Sequence, residues 1–145
     1  MSQTSSSPPS RDAISTLVPT TALPARLRRL FPYPHLNRVQ SECFDLAYQR
    51  DATLIVASPT GSGKTGILEL GLARMWGKAN SVRPLALYVA PLKALVTERF
   101  NDWSKKTEGL GIRMVTLTGD DDDDMANEQS VAGADLILTT PEKWD

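Results

Sequence analysis

The stretch ASPTGSGKT, from Ala57 to Thr65, constrains this 145-residue chain more than any other feature. It joins the apolar run Thr53–Ala57 to a segment with helical periodicity. Backbone N–H groups turn inward around an anion only where residues can adopt positive φ, and Gly61 and Gly63 supply that freedom. A glycine loop between a strand and a helix is typical of a phosphate-binding cradle.

The side chains that close this loop carry the chemistry. Lys64 can reach the β- and γ-phosphates of a nucleotide, and the Thr65 hydroxyl can ligate Mg²⁺, so both are the catalytic candidates. Ser58 stands where the strict pattern G-x-x-x-x-G-K-[ST] has its first glycine, and a Gly/Ser turn that carries a lysine by chance is the competing interpretation. The residues predicted to hold the phosphates are Ser58, Pro59, Thr60, Gly61, Ser62, Gly63, Lys64 and Thr65.

Strand-like and helix-like patterns alternate along the rest of the chain. We predict strands over Thr53–Ala57, Pro84–Ala90, Ile112–Thr118 and Ala134–Thr140. We predict helices over Arg38–Gln49, Thr65–Trp76 and Pro91–Lys106. The first helix has Asn37 as its N-cap, an apolar face of Val39, Cys43, Leu46 and Ala47, and the second ends at Gly77. Strands separated by helices predict a parallel sheet and an α/β fold.

Composition sets the domain boundaries and excludes some partners. Residues 1–25 are rich in Ser, Thr and Pro, so we predict a disordered tail followed by a folded part over residues 26–145. The net charge of −1 gives no overall attraction to nucleic acid, so any such contact must be local. No apolar run approaches the roughly 18 residues of a membrane span, and we expect no membrane partner.

Four further segments place the loop in a wider pattern. "FPYPHLNRVQSECF" lies upstream of the loop, and "APLKALVTERF", "TGD" and "TTPEKWD" follow it in that order. Together they resemble the N-terminal RecA-like (P-loop NTPase) domain of superfamily 2 helicases. Within that superfamily they look most like the Ski-like branch and its meiotic crossover DNA helicases. The resemblance covers about Phe31 to Asp145, and it is more specific than the loop alone, which kinases, GTPases and transporters also have.

The resemblance implies a role for several residues. Gln40 matches the glutamine that recognises adenine, and a carboxamide can donate to and accept from the adenine edge at once. Phe31 and the residues after it would line the adenine side. The motifs that hold the nucleic-acid backbone are matched by Pro91, Lys93, Arg99, Thr118, Gly119, Thr140 and Pro141. Ordinary solvated side chains at Gln40, Lys93 and Arg99, and a purely structural turn at Thr140, are the competing interpretations.

The implied protein is an ATP- and Mg²⁺-dependent helicase that unwinds DNA in the 3′-to-5′ direction, in the nucleus and in meiosis. Its partner would be single-stranded or branched DNA bound through the backbone. A Ski-like RNA helicase, with RNA as partner, and a non-catalytic nucleotide- or DNA-binding module remain alternatives. A P-loop kinase of small molecules would leave Gln40 and "TTPEKWD" unexplained.

The acidic residues of the chain do not complete the hydrolytic site. The run Asp120–Asp124 follows no apolar strand, so we interpret it as a solvated loop and not as a metal site. The D-E-x-H strand that the resemblance implies after "TTPEKWD" is not in the sequence, nor is a second RecA-like domain. We therefore expect a partial domain, incomplete at its C-terminus, that does not hydrolyse ATP at a useful rate by itself.

Overall fold

The computed structural model describes residues 16–78, 84–118 and 131–144. Its helices are α1 (Arg38–Phe44), α2 (Lys64–Lys78), α3 (Lys93–Thr107) and α4 (Pro141–Trp144). Its strands are β1 (Ala86–Val89), β2 (Met114–Leu117) and β3 (Leu136–Thr139). Short 3₁₀-helices span Thr20–Ala22 and Ala25–Leu30, and a π-helical turn, Asp45–Gln49, continues α1. Within these ranges no helix is long and apolar enough to cross a membrane.

The three strands form a parallel sheet in the order β1-β3-β2. The central strand β3 aligns Leu138 with Tyr88 of β1 and with Thr116 of β2. All four residues of β3 are buried, as expected for the middle of a parallel sheet that is covered by helices. Helix α3 connects β1 to β2, so the predicted α/β fold and three of its four strands are confirmed.

The first predicted strand, Thr53–Ala57, is not formed. Residues 51–59 belong to no helix or strand, and no part of the chain that the structure describes pairs with them. Burial still alternates along the segment, with Leu54 and Val56 half-buried against α2 and Ile55 90% exposed. The apolar pattern is that of a strand, but a strand also needs a neighbouring backbone to bond, and this segment has none in the described ranges.

Three of the four described α-helices lie where the sequence predicts a helix, but not every boundary or face agrees. Helix α3 begins at Lys93, two residues after Pro91, and α2 runs past Gly77 to Lys78. In α1 the buried residues are Gln40 and Phe44, whereas Leu46 of the predicted apolar face is exposed. The predicted face is therefore confirmed only in part: Val39, Cys43 and Ala47 are half-buried, but the helix also turns a polar residue, Gln40, inward toward the phosphate loop.

The segment before α1 is tied to the core and not separate from it. Residues 16–25 fall in the stretch predicted to be disordered, yet Leu23 is buried and the Thr20 hydroxyl donates to the Tyr33 and Pro34 carbonyls. The ordered part of the chain therefore begins earlier than predicted. Residues 1–15 of the predicted tail lie outside the described residues.

Two arginines of the second 3₁₀-helix reach the ends of the longer helices. The Arg26 guanidinium donates to the carbonyl of Trp76, in the last turn of α2. The Arg29 guanidinium donates to the carbonyl of Glu108, which caps α3, at 2.7 Å. Both satisfy carbonyls that a helix C-terminus leaves without partners, and both place positive charge at the negative end of a helix dipole. We call Arg26 and Arg29 the arginine clasp.

Candidate functional site

The phosphate loop has the backbone that its sequence requires. Gly61 and Gly63 have φ of 82° and 88°, in the region that side chains rarely adopt. The amide of Ser62 donates to the carbonyl of Pro59 at 3.2 Å, which closes the turn. The Ser58 and Ser62 hydroxyls lie 2.6 Å apart. The serine at the first position of the motif therefore fits and bonds across the loop.

Lys64 begins α2 and folds over the loop. Its ammonium donates to the carbonyl of Ser58 and, at 2.7 Å, to that of Pro59. A phosphate oxygen would offer this ammonium a charge-assisted bond, which is stronger than a bond to a neutral carbonyl. Thr65, the next residue, is half-buried in the first turn of the same helix. The loop thus brings the two catalytic candidates to one helix N-terminus.

Asn37 and Gln40 brace this loop from α1. They form a capping box, in which Asn37 Oδ1 accepts from the Gln40 amide and Gln40 Oε1 accepts from the Asn37 amide. Their amide nitrogens point the other way, to the loop. Asn37 Nδ2 donates to the Ser62 carbonyl at 3.0 Å, and Gln40 Nε2 donates to the Gly63 carbonyl at 3.1 Å. Gln40 is only 4% exposed, so the interpretation of a solvated helix residue is wrong.

Gly66, which was not among the residues predicted from the sequence, provides the space for this brace. A Cβ on Gly66 would overlap Gln40 Nε2 and lie 2.9 Å from Gln40 Cδ. It would also lie 3.3 Å from the Tyr33 hydroxyl, which bonds the Gln40 side chain. Burial raises the pKa of Tyr33 and the nearby charge of Glu69 raises it further, so this hydroxyl stays neutral. Phe31 is buried and packs edge-on against Tyr33, with ring centroids 6.1 Å apart.

A buried carboxylate, Glu69, lies on α2 between the loop and α3. It is 2% exposed, and its Oε1 accepts from Trp103 Nε1 at 3.0 Å and from Lys106 Nζ at 2.6 Å. Burial raises the pKa of Glu69, and the ammonium of Lys106 opposes that shift. Burial alone would lower the pKa of Lys106, but its bonds to Glu69 and Asp102 outweigh burial and raise it. A glutamate at a core-facing position of an otherwise apolar helix was the signal that could have revealed this pair.

The candidate nucleic-acid residues at α3 differ in their surroundings. Pro91 and Lys93 are exposed near the start of the helix. Arg99 is half-buried, and its guanidinium pairs with the carboxylate of Glu98 and, at 3.5 Å, with that of Asp102. Lys93 is thus exposed, and the charge of Arg99 is balanced by two carboxylates of its own helix.

The remaining candidates lie at the ends of β2 and β3. Thr118 is half-buried directly after β2, and Gly119 lies outside the described residues, as does the run Asp120–Asp124. Thr140 is buried before α4, and its carbonyl accepts from the Lys143 and Trp144 amides at 3.2 Å. Thr140 and the exposed Pro141 thus lie at the start of α4. The described parts of the chain hold no group of three or more His, Cys, Asp or Glu that could bind a metal.

The loop residues fit a nucleotide and its cation. An added Cβ at Gly61 would meet nothing within 4 Å, so the loop is open at this point. At Gly63 an added Cβ would lie 2.7 Å from Gln40 Nε2, so the loop is closed on the side of its brace. Lys64 and the helix dipole supply positive charge, and the Thr65 hydroxyl is a hard oxygen donor of the kind that Mg²⁺ prefers.

A glycine phosphate loop at a helix N-terminus, together with a parallel sheet, defines a P-loop nucleotide-binding domain. Comparison with known families identifies the family within this class. The family model of the DEAD/DEAH box helicases matches residues 37–145, and the chain belongs to this family. Proteins of this family bind ATP and nucleic acid, and the predicted resemblance to superfamily 2 helicases is confirmed.

Two groups of curated relatives match most of the chain. It is 45% identical over 130 residues to the human activating signal cointegrator 1 complex subunit 3, which covers 88% of the chain and 6% of the relative. It is 39% identical over 139 residues to the ATP-dependent DNA helicase homolog MER3 of Arabidopsis thaliana, which covers 90% of the chain and 12% of the relative. The chain thus spans a small part of the relatives it matches.

A solved structure supports the fold. The helicase MrfA, crystallised with DNA and AMPPNP, superposes with a TM-score of 0.71 over 83% of this chain and 17% of its own length. The sequences are 21% identical, so this likeness concerns the fold alone.

Proposed function

We propose that this chain supplies the ATP-binding and nucleic-acid-binding part of an ATP-dependent 3′-to-5′ DNA helicase. The main support is the phosphate loop with its brace, in which Gln40 and Asn37 bond the loop carbonyls. In this proposal Lys64 and the loop amides hold the phosphates, and Thr65 ligates Mg²⁺. In this proposal the adenine edge replaces one of the hydrogen-bond partners of the Gln40 carboxamide. The adenine then lies beside Phe31 and Tyr33.

The nucleic-acid strand, in this proposal, passes the starts of α3 and α4 and the end of β2. Pro91, Lys93 and Arg99 flank the first of these, and Thr118, Gly119, Thr140 and Pro141 the others. Contacts of this kind hold the backbone and do not read bases. The DNA substrate is proposed from the MER3 relatives, which are named as DNA helicases. The nucleus and meiotic recombination are proposed from the resemblance to the meiotic crossover DNA helicases.

Nucleotide binding is tested by titrating the chain into a fluorescent ATP analogue with Mg²⁺. We expect Lys64→Ala to weaken binding at least about tenfold, since it removes the ammonium that pairs with the phosphates. Lys78→Ala, at the exposed C-terminal end of the same helix, is the matched control and should leave binding unchanged. We expect Thr65→Val to remove most of the difference between the nucleotide affinity measured with Mg²⁺ and that measured with EDTA. Equal affinities of the wild type and Lys64→Ala would refute the assignment of the loop.

Nucleic-acid binding is tested with matched single-stranded DNA and RNA at several salt concentrations. We expect Lys93→Ala to reduce the slope of log affinity against log salt by about 0.7, the value for one phosphate contact on a single strand. Tighter binding of RNA than of DNA would favour the alternative of an RNA helicase.

We also propose that the 145 residues alone bind ATP without hydrolysing it, and a DNA-stimulated turnover of about one per second would contradict this.

A further inference from the structure

Glu69 joins two helices whose first turns are the two halves of the proposed site. The phosphate loop leads into α2 at Lys64, five residues before Glu69. The candidate nucleic-acid segment leads into α3 at Lys93. Trp103 and Lys106, the partners of Glu69, lie in the last two turns of α3. One buried carboxylate therefore connects the helix that starts at the phosphates with the helix that starts at the strand.

We call Glu69, Trp103 and Lys106 the joint. The joint depends on side chains, because the backbones of α2 and α3 approach each other closely in few places. Trp103 fixes the joint to the sheet as well, since its ring packs edge-on against Tyr88 of β1 with centroids 5.2 Å apart. The Trp103 indole and the Glu69 carboxylate are both almost fully buried. A bond to a buried carboxylate cannot be exchanged for one to water without cost, so the joint holds the helices in one relative position.

The joint also reaches residues of both halves of the site. On α3, Lys106 bonds Asp102 at 3.1 Å, and the same Asp102 oxygen pairs with Arg99. On the nucleotide side, the charge of Glu69 acts on the Tyr33 hydroxyl, which bonds Gln40, and Gln40 bonds the loop carbonyl of Gly63. Hydrogen bonds and ion pairs thus run from Glu69 through Lys106 and Asp102 to Arg99, and on the nucleotide side the charge of Glu69 reaches the Tyr33 hydroxyl.

We propose that Glu69 is a positioning residue that couples nucleotide binding to nucleic-acid binding through Trp103 and Lys106. This inference rests on the proposed function. Both ligands act at helix N-termini, and an α-helix is stiff over the ten or so residues concerned. A ligand that shifts α2 along its axis therefore shifts α3 through the joint. Linkage then requires that each ligand changes the affinity for the other by the same factor.

The test measures this factor as the ratio of the affinities for single-stranded DNA with and without a saturating, non-hydrolysable ATP analogue and Mg²⁺. We expect a factor of at least about five for the wild type, the lower end of typical couplings. We expect Glu69→Ala to bring the factor within about twofold of one. We expect Glu69→Gln to restore part of it, because the amide oxygen can still accept from Trp103.

Two controls separate coupling from stability. Ile67→Val removes one methylene from the same helix on the side that faces Leu54 and Val56, and it should keep the wild-type factor. If Glu69→Ala does not fold, Lys106→Met removes the other half of the ion pair and should lower the factor in the same way. A wild-type factor in Glu69→Ala, or in Lys106→Met where that variant is used, would overturn the proposal. The proposal would also be overturned if Ile67→Val lost as much of the factor as Glu69→Ala, or if the wild type bound both ligands with a factor of one. A wild type that binds neither ligand would refute the proposed function itself, and the coupling with it.

Discussion

The two sides of α2 are held in very different ways. Toward α3, Glu69 has two partners at hydrogen-bonding distance, and the arginine clasp bonds the ends of both helices. Toward the segment Thr53–Ala57, α2 meets an apolar groove, and the backbone of that segment pairs with no described strand. We call Thr53–Ala57 the unpaired segment.

The difference shows what keeps the candidate site in place. In a complete parallel sheet, the strand before a phosphate loop is fixed by ladder hydrogen bonds to its neighbours. In the described structure the loop is fixed instead from α1, by Asn37 and Gln40, and through α2 by Glu69 and the clasp. Substitutions on the bonded side should therefore affect stability and binding strongly, and those in the unpaired segment weakly.

The largest effect is expected at the centre of the joint. Trp103→Ala removes a ring that is 1% exposed and leaves Glu69 without its indole donor. We expect the free energy of unfolding to fall by about 3–5 kcal/mol, the usual cost of truncating a buried aromatic residue. Urea unfolding followed by circular dichroism measures it. Trp144→Ala, at an exposed ring, is the matched control and should change stability by less than about 0.5 kcal/mol.

A smaller effect is expected where the brace passes α2. In Gly66→Ala the new methyl group displaces the Gln40 carboxamide from the Gly63 carbonyl. We expect a loss of about 1–3 kcal/mol from overpacking, and weaker binding of the fluorescent ATP analogue. Gly71→Ala changes the same helix where an added Cβ meets nothing within 4 Å. The free energy of unfolding of this variant should instead rise by up to about 1 kcal/mol through helix propensity, and its nucleotide affinity should be unchanged. A similar response of the two variants would mean that Gln40 does not need this space.

The phosphate loop and its brace also show what the sequence could and could not predict. The loop, the positions of three strands and those of the longer helices were predictable, because periodicity and glycine positions are local signals. Asn37 was identifiable as an N-cap for the same reason. The bonds that Asn37 and Gln40 make to the loop join residues more than twenty positions apart, so no local pattern contains them.

The unpaired segment shows the opposite limit. Its apolar run predicts a strand, but the strand is not formed, because pairing depends on a neighbouring backbone that the segment itself does not encode. The face predicted for α1 lacked Gln40 for a related reason. Counting apolar residues could not show that a polar residue, Gln40, would be buried by contacts with α2 and the loop.

The arginine clasp should contribute an intermediate amount. Arg26→Ala and Arg29→Ala each remove a bond from a guanidinium to a carbonyl at a helix end. We expect a loss of about 0.5–1.5 kcal/mol for each in urea unfolding. Arg38→Ala, which removes an exposed ion pair to Glu42, is the control and should have almost no effect. A clasp variant as stable as this control would show that the first segment is held by its leucines alone.

The ion pair of the joint should make stability sensitive to alkaline pH. Because the pKa of Lys106 in the folded chain is raised above its ordinary value of 10.5, its stabilising effect is complete below that pH and is lost as pH rises through the folded pKa. We expect the stability advantage of the wild type over Lys106→Met to shrink as the pH rises through that range. An advantage that stays constant from neutral pH to the alkaline side would contradict a charged Lys106 in the joint.

The smallest effect is expected in the unpaired segment, and it tests the comparison from its other end. Ile55 is almost fully exposed and its backbone has no partner in the described ranges, so Ile55→Ser removes no buried contact. We expect stability to change by less than about 0.5 kcal/mol. Leu54→Ser, one residue earlier, removes a half-buried side chain from the groove against α2 and should cost about 1 kcal/mol more. If Ile55→Ser were the more costly of the two, the segment would have to pair with another backbone in solution, and the loop would be fixed from that side as well.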